Sequence, residues 1–254
     1  MGAMCIVLVA YGLDPDCPLV VLANRDETFA RPSAAAASWP DHDDVHGGRD
    51  LEKGGGWLLV TRSRRLACVT NVRSPFAKRE GRSRGELVVR GVTTRVSSED
   101  HAREVPLTEY PAHNALYFDG VALVYANDEG VARALEPGIY GVSNARLDTP
   151  WPKVTKGKGA LEAWLGTSGS IEDAFALLAD RSLAKDDELP DTGVGLDVER
   201  ALSSVFVHAE PLVGAGYGTR ASTVVRVRRS CVELAERSYD VRGEVSGEVR
   251  LTLD

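Results

Sequence analysis

Met4-Cys5-Ile6-Val7-Leu8-Val9 is the first apolar run of the chain, and Asn24-Arg25-Asp26-Glu27 follows the second. Cys5–Ala10 and Leu19–Ala23 are short and rich in β-branched residues, and Gly12-Leu13-Asp14-Pro15-Asp16 between them is turn chemistry. That pattern predicts an antiparallel hairpin, which carries Asn24-Arg25-Asp26 back beside Cys5. A cysteine directly after a methionine can become the first residue of a trimmed chain, because methionine aminopeptidase removes Met ahead of a small residue. A terminal cysteine holds a thiol and a free amine on one residue. The amine titrates at about 7.7–8.0, so it can serve as a base near neutral pH. A nucleophile with its own base is one solution to covalent catalysis. Met1-Gly2-Ala3 stands ahead of Met4, so residues 1–4 are read as a leader or cloning remnant and residues 5–254 as one domain.

The rest of the chain has no long linker and no internal repeat. Residues 31–50 read as a polar loop, and Gly56–Thr61 with Leu66–Asn71 as a second hairpin turning through Arg62–Arg65. Ser83–Val92 predicts a helix with Ser83 as its cap. Ala115–Asp119, Val121–Ala126 and Ile139–Ser143 predict strands. Pro152–Leu165 and Ser170–Ala179 predict helices, the second with an apolar stripe at Ile171, Ala174, Phe175, Leu177 and Leu178. Asp186–Glu199 is a polar stretch with Pro190 and Gly193. Ser204–His208, Thr223–Arg228, Cys231–Tyr239 and Glu248–Leu253 predict the closing strands. Strands, then helices, then strands again give an α+β class rather than alternating βαβ units.

Several islands point further. They are Ala23-Asn24-Arg25-Asp26-Glu27, Gly54-Gly55-Gly56-Trp57-Leu58, Thr70-Asn71-Val72-Arg73 and Ser83-Arg84-Gly85, then Gly141-Val142-Ser143-Asn144, Leu147-Asp148-Thr149-Pro150-Trp151-Pro152-Lys153-Val154 and Tyr217-Gly218-Thr219-Arg220-Ala221-Ser222-Thr223. On these the chain resembles the NRDE family, also called the Transport and Golgi Organization 2 family. The resemblance implies a four-layer αββα N-terminal-nucleophile hydrolase-like sandwich with antiparallel sheets, akin to the bile-salt hydrolase and penicillin V acylase group. It also implies a cysteine hydrolase acting on a linear, non-peptide amide (C–N) bond of a small acylated molecule. Links of the family to Golgi organisation and to haem or lipid handling leave a second reading open: a non-enzymatic haem- or lipid-binding trafficking protein on the same fold.

By that resemblance the candidate catalytic residues are Cys5, Arg25, Asp26, Asn71, Asn144 and Arg220. Arg25 would lower the Cys5 thiol pKa and Asp26 would orient the amine. Adjacent strand residues point to opposite faces, so only one of the two is expected to face Cys5. Asn71 and Asn144 would supply oxyanion and substrate contacts, with a turn-forming Asn as the alternative. Arg220 lies near where the acylases place an arginine, in a register open by a few residues.

Composition narrows the partners. The 254 residues include 30 basic and 37 acidic side chains, a net charge of −7, which argues against nucleic acid. Arg62-Ser63-Arg64-Arg65 and Lys78–Arg84 are local basic clusters, either solvated tips or a rim that receives an anionic substrate. Cys5, Cys17, Cys68 and Cys231 show neither zinc spacing nor a disulfide framework, so a reducing, cytoplasmic setting is expected. Cys68 reads as a buried small hydrophobe. No run of about 18 apolar residues marks a membrane span. His42 and His46 sit at i, i+4 spacing, but Pro40 and Gly47-Gly48 make that segment a loop, so no metal is expected. Gly214–Gly218 lacks the βα context of a dinucleotide fingerprint, so no cofactor is expected.

Overall fold

In the computed structural model, residues 4–78, 80–167, 169–208 and 216–254 are described; Met1–Ala3, within the expected leader or cloning remnant, and part of the Gly214–Gly218 run lie outside them. The first hairpin forms as expected, from β1 (Met4–Tyr11) and β2 (Leu19–Thr28). Its alternation is two-sided. Val7, Val9, Leu19 and Val21 face one core, and Ile6, Leu8, Val20 and Leu22 face another. A strand buried on both faces reads as a continuous apolar run.

Seven strands form one antiparallel sheet in chain order: β3 (Ser33–Ser38), β4 (His46–Asp50), β5 (Leu58–Val60), β6 (Leu66–Asn71), β7 (His113–Phe118), β8 (Leu123–Asn127) and β9 (Ala132–Ala134). The other sheet is built from β10 (Gly138–Val142), β11 (Tyr217–Val227), β12 (Val232–Tyr239) and β13 (Val245–Leu253), in the order β10-β1-β2-β11-β12-β13. The sheets face each other across Val7, Val9, Leu58, Cys68, Leu116, Val225 and Leu234. Helices α1 (Arg84–Thr93) and α2 (Ser98–Glu104) cover the first sheet through Leu87, Val88 and Ala102. Helices α3 (Pro152–Leu165) and α4 (Ile171–Leu178) cover the second through Leu161, Ala174 and Phe175. The result is a four-layer αββα sandwich. Each fully buried Leu, Ile or Phe of these cores adds about 1.5–3 kcal/mol.

Three segments depart from the sequence reading. Residues 31–50 hold two strands, not a loop. β3 is Ser33-Ala34-Ala35-Ala36-Ala37-Ser38 at a sheet edge, where small side chains leave no hydrophobic alternation to read. Ser204–His208 forms no strand; only an isolated bridge joins His208 to Gly218. The polar stretch Asp186–Glu199 runs into a short helix, α5 (Leu196–Ala201), whose one turn and a half is too brief for a periodic signal. Ser83 stands at the N-cap of α1 without a side-chain cap bond, whereas Ser170 caps α4 through Asp173 N–H at 3.0 Å.

Candidate functional site

Register on β1 and β2 sorts the tetrapeptide. Cys5 pairs with Arg25 and Met4 with Asp26. Arg25 and Glu27 face the gap between the sheets, where they line a cavity of about 430 Å³ together with Cys5, Trp57, Asn71 and Arg84. That volume falls in the usual range for small-molecule sites, about 300–1,000 Å³. Asn24 and Asp26 face the helix layer instead. Asn24 Nδ2 donates to the carbonyls of Leu178 at 2.8 Å and Val205 at 2.9 Å, and its Oδ1 accepts from Ser222 Oγ at 2.6 Å. Asn24 therefore fastens β2 to β11 and to the end of α4.

Arg25 is buried and stacks on Trp57, with its guanidinium carbon 4.3 Å from the ring centre. Trp57 reaches that position because Gly48 has no side chain: a Cβ there would lie 2.0 Å from the indole. Similarly, a Cβ on Gly55 would lie 2.6 Å from the Gly85 backbone. That close approach brings Arg84, at the start of α1, to the cavity wall. Arg84 donates to the Ala112 carbonyl at 3.2 Å and has no ion-pair partner among the described residues.

The Cys5 thiol is not lowered. Burial raises it to about 12 and the nearby Asp26 charge adds to the effect, while the Asp26 backbone N–H and Arg25 act in the other direction. The expectation that Arg25 would activate the thiol is corrected for the chain with residues ahead of Cys5: Arg25 acts in the expected direction, but burial outweighs it.

Asn71 and Asn144 come together. Asn144 Nδ2 donates to Asn71 Oδ1 at 2.8 Å, and Ser143 Oγ donates to the Cys5 carbonyl at 2.8 Å. Asn144 is fully buried, whereas Asn71 reaches the cavity. With its oxygen engaged, Asn71 presents Nδ2 as its donor. Arg220 is not brought to the cavity. It sits at a bulge of β11 between Thr219 and Ala221, and its guanidinium donates to the carbonyls of Thr28 and Arg31. A bulge re-aims the side chain it carries, which the sequence could not show.

Of the other charged groups around the site, only Asp26 is expected from the sequence. Asp26 accepts from Thr219 Oγ1 at 2.6 Å, and burial raises its carboxyl, while the Lys153 charge opposes. Lys153 belongs to the Pro150–Val154 island, yet spacing alone did not mark it. Arg73 pairs with Glu199 at 2.9 Å and lies 4.5 Å above the Trp151 ring. Glu236 is buried, accepts from Ala36 N–H at 2.7 Å and Thr223 Oγ1 at 3.0 Å, and is pushed up to about 7 by burial, with those two hydrogen bonds and then Arg25 opposing. A carboxyl whose folded pKa is raised favours the protonated fold. Stability is therefore highest at acidic pH and falls as pH rises from its unfolded value, about 4.3, through 7. Glu236→Gln is expected to melt several degrees above the parent at pH 8 and about level with it at pH 4, as thermal scans at the two pH values would show.

The basic clusters divide. Arg82 and Arg84 line the cavity. Arg62 instead meets Asp44 at 3.7 Å, and Arg64 donates to the Arg229 carbonyl, so the Arg62–Arg65 turn is not part of the rim. His46 shares a hydrogen bond with Ser38, and no group of three His, Cys, Asp or Glu residues among the described residues is arranged to hold a metal ion. No helix among them is long and apolar enough to cross a membrane.

The layers and topology define an N-terminal-nucleophile-hydrolase-like fold. A mutant of the conjugated bile acid hydrolase from Clostridium perfringens superposes with a TM-score of 0.53, covering 98% of this chain and 92% of that one at 8% identity. The family model for Transport and Golgi organisation 2 matches residues 4–241, and the chain belongs to that family. The Homo sapiens Transport and Golgi organization protein 2 homolog is 33% identical over 247 residues, 88% of each chain. The Drosophila melanogaster Transport and Golgi organization protein 2 is 30% identical over 259 residues, again 88% of each.

Proposed function

We propose that the chain, once it begins at Cys5, is a cysteine hydrolase of the N-terminal-nucleophile type that cleaves a non-peptide C–N bond of a small acylated molecule. The observation that carries this reading is the convergence of Cys5, Arg25 and Asn71 on one cavity. The thiol sulfur attacks the amide carbonyl carbon, an S–C bond forms, and the oxygen takes the electron pair. Asn71 Nδ2 donates to that oxyanion. The Cys5 amine takes the thiol proton and passes it to the leaving nitrogen as the C–N bond breaks. Water, deprotonated by the same amine, then displaces the sulfur and releases the acid. Arg84 and Arg25 give the cavity cationic walls in a chain of net charge −7, which suits an acyl donor with an acidic substituent.

A chain verified by intact mass to begin at Cys5 is expected to release amine from members of a panel of N-acylated small molecules, followed by amine detection. The raised thiol of the longer chain supports a second reading, a carrier of haem or a lipid-like ligand in the same cavity. No amine release across the panel, with tight binding of haem or a long-chain acyl ligand, would decide for the carrier.

A further inference from the structure

Lys153 stands where a lysine has least to gain. It is the second residue of α3, where the helix dipole opposes a cation. It is 3% exposed, and its Nζ has no hydrogen-bond partner among the described residues. Asp26 is fully buried, with Oδ1 bonded to Thr219 and Oδ2 likewise without a partner. A buried charge without direct bonds is costly to keep, and here two of opposite sign bear on each other, the first turn of α3 being packed on the β10–β1 pair, where a Cβ on Gly141, the partner of Leu8, would lie 2.8 Å from Val154. The register pairing of Met4 with Asp26 brings the peptide nitrogen of Cys5 beside Asp26 on the neighbouring strand. Arg73, stacked on Trp151 and paired with Glu199, fixes the entry of α3 against the end of β6.

We propose that Lys153 is a positioning residue of the Cys5 centre, whose ammonium keeps the amine of a chain beginning at Cys5 uncharged at neutral pH and ready to take the thiol proton. The proposal rests on the reading of Cys5 as a processed nucleophile. An amine beside the Asp26 carboxylate alone would be held as an ammonium, and so would be spent as a base. A second cation close by offsets that attraction. The charges that bear on Lys153 are Asp26 from β2, Cys5 from β1, Arg73 after β6 and Glu199 from α5, and Glu27 adds to the field at Asp26. Arg73 and Glu199 neutralise each other in their ion pair, which leaves Lys153 as the cation that balances Asp26.

The test uses chains that begin at Cys5 and reads the amine directly. The rate of its carbamylation by cyanate follows the uncharged fraction as pH is varied, with thiol adducts reversed at alkaline pH before mass analysis. Lys153→Met is expected to move the midpoint up by about one pH unit, about a tenfold slower reaction at pH 7. Lys153→Arg, which keeps the charge, should stay within about threefold of the parent. An unshifted midpoint in a folded Lys153→Met chain would overturn the proposal, since a purely structural lysine changes melting and not this profile. If Lys153→Met does not fold, Lys153→Gln is read by the same two outcomes. The measurement needs no turnover. Absent hydrolysis with a shifted midpoint removes the hydrolase reading alone, and hydrolysis with an unshifted midpoint removes this inference alone.

Discussion

Retention of Met4 ahead of Cys5 is expected to slow alkylation of the Cys5 thiol at pH 7.5 by two to three orders of magnitude, about 10²–10³, relative to a chain that begins at Cys5. The thiolate is the reactive form. With the strand continued through Met4, the thiol is 5% exposed and raised to about 12. Against an ordinary thiol at about 8.5, that leaves several thousandfold less thiolate. Removing Met4 places a titrating amine on the same residue and frees the end of β1, so burial no longer dominates. Brief iodoacetamide treatment followed by peptide mapping reads the two chains side by side. Cys231, only partly buried, serves as the internal reference, and Cys68, buried between the sheets, as the protected one. Equal labelling of Cys5 in both chains would show that the free amine does nothing for the thiol. A native protein whose intact mass includes Met4 would show that the activating cut does not occur.

Much of this arrangement is legible in the residues because backbone geometry transmits it. The turn at Gly12–Asp16 fixes the β1–β2 register, and that register places Arg25 opposite Cys5. Alternation then sends Arg25 and Asp26 to opposite faces, which a two-residue period predicts. What the sequence does not disclose is long-range or depends on small shifts. Lys153 joins Asp26 only when α3 is laid on the second sheet, and nothing in the spacing of a helix N-terminus announces a buried cation. Arg220 leaves the cavity through a one-residue bulge, which no alternation pattern encodes. β3 escapes notice because a run of alanines carries no contrast between core and solvent. The thiol shift is set first by burial, which residue types in the motif do not disclose, so the lowering by Arg25 is outweighed.

If the cavity is hydrolytic, Asn71→Ala is expected to lower kcat about 10²–10³-fold, equivalent to about 3–4 kcal/mol of lost oxyanion stabilisation. KM should change little, because the developing negative charge exists only in the transition state. Asn144→Ala serves as the partner measurement. Its Nδ2 is bonded to Asn71 Oδ1 at 2.8 Å and also lies 3.3 Å from the Asn71 carbonyl, so it has no donor left to offer substrate. Its removal frees the Asn71 amide to rotate without deleting it, and a loss of about tenfold is expected, in keeping with a misplaced rather than a missing group. In the double variant the two effects should not multiply, because Asn144 acts through Asn71; residues that share one hydrogen-bond chain couple in this way. Steady-state kinetics on any panel member that turns over distinguishes the cases. Fully multiplicative losses would mean that Asn144 contacts the reacting molecule by itself. A wild-type rate in Asn71→Ala would place the oxyanion on other donors, with the backbone around Cys5 as the first region to probe.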